Sequence, residues 1–196
     1  FQLKDKLPAI AGFYPLDVAQ DSTTKEFFDA FSKENPGKKA DILIHAIGFA
    51  PRTCFDRPIL FVEDQDINTA MTISANSLQR CLKFALPYLN DNSSTITLTY
   101  AASNRFVPSY GIMSMAKAAL ECWTRELACH LGPEGHRINA ISSGPIRTIA
   151  ASGIPGFENI LDHVEKNSPL RRNVNQDDVA GATLWLASPL SSGVTG

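Results

Sequence analysis

The chain has 196 residues, with 18 Lys and Arg against 20 Asp and Glu, a formal charge of −2 and a hydrophobic fraction of 44%. That is enough chain for a sizeable core and too apolar for disorder, and no block of like charge offers a nucleic-acid arm or a polybasic membrane patch. No apolar run approaches the roughly 18 to 20 residues of a membrane span, and residues 1–6 lack the layout of a signal peptide, so the reading is a soluble, non-exported protein.

Short apolar runs alternate with longer amphipathic stretches. Residues 10–16 read as a strand, and 23–34 as a helix with N-cap oxygens at Asp21, Ser22, Thr23 and Thr24 and with Phe27, Phe28 and Phe31 on one side. Residues 41–46 read as a second strand, 66–86 as one long helix, and the β-branched run 95–100 as a third strand. A helix over 111–131 follows, closed by Gly132 as a left-handed cap and by Pro133, and then a strand over 136–141. Strands alternating with helices of this length imply right-handed βαβ crossovers and a parallel sheet, hence an α/β, Rossmann-like doubly wound fold. Residues 144–168 are rich in Gly, Ser, Ala and Pro with weak periodicity, which suggests a functional segment such as a lid.

Cys54, Cys81, Cys122 and Cys129 contain no C-x-x-C pair and read as reduced thiols, buried or half-buried. The four histidines show no metal-ligand spacing, and His45 reads as a structural strand residue. No metal site is expected.

Ligands of an open parallel sheet bind beyond the carboxyl ends of its strands. Asp17-Val18, the run 46–51, Tyr100 and the run 144–148 fall there. Singly these are ambiguous: Asp17 also reads as a turn residue, Gly48 as relief for a tight bend, and Gly144-Pro145 as a turn. The stronger signal is Tyr110 with Lys117, seven residues apart, a spacing that on a helix returns both side chains to one face. A nearby ammonium favours the ionised phenol and lowers its pKa, which would suit Tyr110 to acid-base work.

Taken together, these residues resemble the enoyl-[acyl-carrier-protein] reductases, a divergent branch of the short-chain dehydrogenase/reductases. The resemblance runs through residues 15–19, 45–51, Tyr100, Tyr110, Lys117, 132–135, 137–142 and 144–154. Its Y-x-x-M-x-x-x-K form, and a tyrosine ten residues upstream where ordinary short-chain reductases carry serine, point to this branch.

The resemblance implies an NADH-dependent enzyme of type II fatty acid synthesis, cytoplasmic or in a plastid stroma, acting on enoyl thioesters of acyl-carrier protein. It implies that Tyr110 stabilises the enolate, Lys117 holds the nicotinamide ribose, and Tyr100 lines the acyl pocket. Asp17 and Val18 would contact the adenine, Ala46, Ile47 and Gly48 would pass beneath the cofactor, and Ile146, Thr148, Ile149 and Ala150 would embrace the nicotinamide and pyrophosphate. Ala50, Met113, Ile154 and Phe157 would shape the acyl slot, closed by a lid over 148–165. Relatives form homotetramers, and Met71, Ile73, Cys81, Cys122, Trp123 and Cys129 are expected on the outer helix faces.

The resemblance also implies that a first β-α-β-α portion, on the order of 50 residues, and the last strand lie outside the 196 residues, so that they form one partial domain. Ala46 stands where many relatives have serine. Two other readings stay open: another short-chain reductase, and an inactive fragment of the fold that does not bind dinucleotide.

Overall fold

A computed structural model describes residues 12–196. Helix α1 (Asp21–Glu34) leads into β1 (Ala40–His45), and the short α2 (Thr53–Asp56) precedes α3 (Asp64–Met71). A π-helical segment (Thr72–Asn76) joins α3 to α4 (Ser77–Ala85), followed by β2 (Leu89–Thr99), α5 (Ile112–Leu131) and β3 (Arg137–Ser142). Then come α6 (Ile149–Ser152), α7 (Phe157–Asn167) and α8 (Gln176–Ala187).

The described strands form a parallel sheet in the order β1-β2-β3, with Ile44 opposite Ile96 and Thr95 opposite Ile138. Alternation along β2 separates the two faces. Thr99 bonds to Glu121 of α5, whereas Ser94, of opposite parity, donates to the Leu186 carbonyl of α8. Helices therefore cover both faces, as the doubly wound reading expects. The main core lies on the α4/α5 side, where Leu78, Leu82, Leu120 and Ile138 are almost fully buried. Helix α8 packs on β2 and β3, leaving Ile42 and Ile44 of β1 about half exposed on that face.

Several expectations need correction. The strand read at 10–16 begins outside the described residues, and its described part, 12–16, carries no strand; Gly12 and Pro15 both weaken a ladder there. Helix α1 is capped at Gln20, with no side-chain cap bond. Thr23 and Thr24 instead turn their hydroxyls back to the carbonyls of Asp17 and Gln20, because inside a first turn those carbonyls are the nearer acceptors. The long helix over 66–86 is interrupted by the π segment. Gly132 is right-handed and opens a 3-10 turn, and the left-handed residue is Gly135 at φ +89°. The segment 144–168 is less irregular than its composition suggested, since α6 and α7 lie in it.

The oligomer expectation had rested on residues that the fold mostly buries or engages. Cys81 is 4% exposed, Met71 packs beside Tyr100 and Tyr110, and Trp123 donates its indole N–H to Asn76. Only Cys122 and Cys129 of that set are exposed, which also corrects their reading as buried or half-buried thiols. Among the described residues no group of His, Cys, Asp and Glu is arranged to hold a metal ion, and no helix is long and apolar enough to cross a membrane.

Candidate active site

The site forms where β1 and β2 end and α5 begins. Tyr110 precedes α5 rather than lying within it, so helical spacing is not what brings it toward Lys117. It is set by strained backbone on either side: Ser109 has φ +63° and Gly111 φ +52°. A side-chain carbon at Gly111 would stand 2.6 Å from the Cys54 carbonyl, so only glycine permits that approach.

Tyr110 is 7% exposed and packs with Ala102, Met113 and Ala116, against which Ala50, Phe55, Met71, Tyr100, Val107 and Ile154 also rest. Its ring centroid is 4.9 Å from that of Tyr100. The cluster thus unites Tyr100, Tyr110, Ala50, Met113 and Ile154 from the expected set. Phe157 adjoins it, buried at the start of α7 with its N–H on the Ile154 carbonyl. Arg147, Ser152, Ile154, Gly156, Phe157 and Glu158 line a hollow of about 340 Å³, and Arg147 closes one side through a fork onto the Glu158 carboxylate. Among the described residues the Tyr110 hydroxyl has no hydrogen-bond partner.

Lys117 is 8% exposed, and its ammonium donates to the Leu98 carbonyl at 2.8 Å. Burial lowers its pKa to about 8, against an opposing pull from Glu121. Tyr110 departs from expectation: its pKa is raised, first by burial and then by Tyr100. Desolvation of the phenolate outweighs any help from the ammonium. The phenol is therefore a neutral donor at physiological pH.

The run 46–51 approaches from β1. A side-chain carbon at Gly48 would lie 3.8 Å from Lys117 Nζ and 3.9 Å from Met113 Cε. Ser74 fixes the adjacent Phe49, its hydroxyl donating to the Phe49 carbonyl at 2.7 Å and accepting the Phe49 N–H at 2.8 Å. Ser74 lies in the π segment, whose widened turn supports this cross-connection, and the sequence reading missed it. A signal existed in the polar and β-branched residues Thr72, Ile73, Ser74, Asn76 and Ser77 in mid-helix.

His45 is buried as expected. Its Nδ1 lies 2.9 Å from Thr97 Oγ1 and its Nε2 2.8 Å from Ser77 Oγ. Both hydroxyls also donate to a backbone carbonyl, Ser77 to Ile73 and Thr97 to His45 itself, so the ring is held from both sides by groups that are themselves anchored. Burial, with the Lys117 charge second, lowers the His45 pKa to about 4.

The remaining expected residues are not among the members of this cluster. Asp17 accepts the Ala19 N–H in a turn, and Val18 is buried with its carbonyl bound to Arg80 of α4. Ala46 is exposed and Ile47 half-buried. Ile146 is half-buried, Thr148 accepts the Ala151 N–H at the start of α6, and Ile149 is 97% exposed. Ala150 lies in α6, its side chain outside the described residues.

A family described as "Enoyl-(Acyl carrier protein) reductase" matches residues 2–196. The chain is 44% identical over 183 residues to the enoyl-[acyl-carrier-protein] reductase [NADH] of Haemophilus influenzae, covering 93% of this chain and 69% of that one. It superposes with a TM-score of 0.93 and 34% identity on the Bacillus cereus enoyl-acyl carrier protein reductase with NADP+ and indole naphthyridinone, covering 99% of this chain and 75% of that one. The Anaplasma phagocytophilum reductase in complex with NAD gives 0.90 at 33% identity, covering 99% and 71%.

Proposed function

We infer that the chain, which belongs to the enoyl-(acyl carrier protein) reductase family, reduces the trans-2 double bond of enoyl thioesters of acyl-carrier protein with NADH, in type II fatty acid synthesis. The observation that carries the reading is the Tyr110 hydroxyl, without a partner among the described residues, in an apolar cluster whose Met113 meets the Gly48 loop where Lys117 does.

The residues fit a dinucleotide. A side chain at Gly48 would take up the volume beside Lys117 and Met113, which the bare glycine leaves to a bound group. NADH, when bound, supplies the hydride. Lys117 spends one of its three donors on Leu98 and offers the others to the ribose hydroxyls. Ala46, Ile47 and Gly48 form the floor, Asp17 and Val18 serve the adenine end, and Ile146, Thr148, Ile149 and Ala150 line the nicotinamide and pyrophosphate.

Tyr110, neutral and preorganised, donates to the thioester carbonyl and stabilises negative charge as it develops on that oxygen. Tyr100, Ala50, Met113, Ile154 and Phe157 exclude water from the acyl chain, with 148–165 as the lid. A homotetramer and a cytoplasmic or plastid-stromal location complete the reading; light scattering and fractionation test them.

The direct test is NADH consumption with crotonyl and with acetoacetyl thioesters. Turnover of the crotonyl thioester alone is expected; turnover of the acetoacetyl thioester alone would mean a ketone reductase and overturn the reading.

A further inference from the structure

One turn apart on the inner side of α5, Lys117 and Glu121 reach the last two residues of β2. Lys117 donates to the Leu98 carbonyl at 2.8 Å, and the Thr99 hydroxyl donates to Glu121 Oε1 at 2.6 Å. Thr99 is 6% exposed and Tyr100 follows it directly. One carboxylate thus grips the strand end that carries Tyr100, one helical turn along α5 from the lysine that serves the site. Among the described residues the one ion pair within α5 is the exposed contact between Glu126 and His130, at 4.0 Å, so Glu121 acts on Lys117 across the turn and not through a direct salt bridge.

We propose that Glu121 is a positioning residue for the reduction, orienting Lys117 and the Thr99–Tyr100 strand end as one unit. The proposal rests on the reading of Lys117 as the ribose-binding residue.

The surroundings of Lys117 show why a carboxylate is needed. From β1 comes His45, its ring taken up by Thr97 and Ser77 and held neutral. Tyr100 and Tyr110 come from the neighbouring loops, both neutral because burial pushes their pKa up. Charged groups of the other packed elements turn elsewhere: Asp66 of α3 to Thr53, Arg80 and Lys83 of α4 to Asp21, and Arg137 of β3 to Leu186 and Ser191. Among the described residues Glu121 is therefore the one anion that offsets the burial of the ammonium, and its pull opposes desolvation.

The test is NADH KM against pH for Glu121→Gln, Glu121→Ala and Lys117→Met, each with a melting temperature. Glutamine keeps an acceptor for Thr99 and loses the charge. In Glu121→Gln the rise of KM with pH should move down by roughly one unit, so that near pH 8 KM is about fivefold above the parent, with kcat at saturating NADH little changed. Glu121→Ala should show the same move and also lose kcat, because the Tyr100 strand end is released. If Glu121→Gln leaves the rise where it is while Lys117→Met weakens NADH binding, the proposal fails and the ribose reading stands. If Lys117→Met leaves NADH binding intact, the ribose reading fails and takes the proposal with it. A lowered melting temperature with no pH shift would mark Glu121 as merely structural and overturn the proposal.

Discussion

The rings of Tyr100 and Tyr110 face each other with centroids 4.9 Å apart and planes tilted by 50°. Packing fixes the ring of Tyr110, while its hydroxyl has no partner among the described residues. Tyr110→Phe should therefore keep the fold and the melting temperature, because no protein hydrogen bond is lost. It should lower kcat by about 10²- to 10³-fold, the scale of one oxyanion donor, with NADH KM nearly unchanged. Steady-state kinetics with both substrates varied decide it: a comparable loss of NADH affinity would contradict the role given to the hydroxyl.

Lys117 carries a pKa lowered to about 8 from 10.5, chiefly by burial. Between those values the unfolded chain holds a proton that the folded chain has shed, so stability rises with pH across that window, and the charged, buried form is least favourable below pH 8. Lys117→Met should accordingly stabilise the fold at neutral pH, by up to roughly 3 kcal/mol, while NADH binding is lost. Denaturant unfolding at pH 7 and pH 10 checks this. A variant no more stable than the parent at pH 7 would mean that the bond to Leu98 offsets the whole burial cost.

His45 gives the matching acid-side expectation. Its folded pKa of about 4 lies below the ordinary 6.5, so the neutral ring supports the fold above pH 6.5, and that support drains away as pH falls toward 4. The amount at stake is roughly 3 kcal/mol. A His45→Gln variant should be less stable than the parent at pH 7, because Ser77 and Thr97 lose their geometry, yet should show a shallower decline between pH 6.5 and 4. Parallel pH profiles for the two proteins would exclude His45 as the acid-labile group.

Most of the framework could be read from the sequence because β1, β2, β3, α1 and α5 carry strong local patterns. The apolar spacing of α5 nearly gives its span, and the Thr-Ile-Thr-Leu-Thr run marks the second half of β2, which begins six residues earlier at Leu89 because its first residues, Asn90 to Ser94, are polar. The candidate site was legible where a residue follows a strand end, as Tyr100 does, whereas Tyr110 was picked out by a helical spacing to Lys117 that does not apply, since it precedes α5. What stayed hidden depends on contacts between distant segments. The hold of Ser74 on Phe49 spans 25 residues and that of Glu121 on Thr99 spans 22. The inverted expectation for the Tyr110 pKa has the same origin, since a spacing argument counts charges but not desolvation. The cap at Gly132 was misplaced because Gly132 and Gly135 both flank the turn, and only the backbone separates their roles.

That separation makes the glycines a sharp test. Gly132 has helical φ −59° and open space around its Cα, so alanine should be tolerated there or should stabilise by about 0.5 kcal/mol. Gly135 sits at φ +89°, and an added carbon would come 2.6 Å from Asn92 Oδ1, the tip of a side chain that can give way. Gly111 is the severe case: its φ is +52°, and the obstacle 2.6 Å away is the Cys54 backbone carbonyl, held within α2. Gly111→Ala should cost roughly 2 to 4 kcal/mol, and any folded fraction should lose activity disproportionately, because relief of the clash shifts Tyr110. Melting temperatures of the three alanine variants should fall in the order Gly132, Gly135, Gly111. If Gly111→Ala melts with the parent and retains kcat, the strained backbone around Tyr110 is not what positions the phenol.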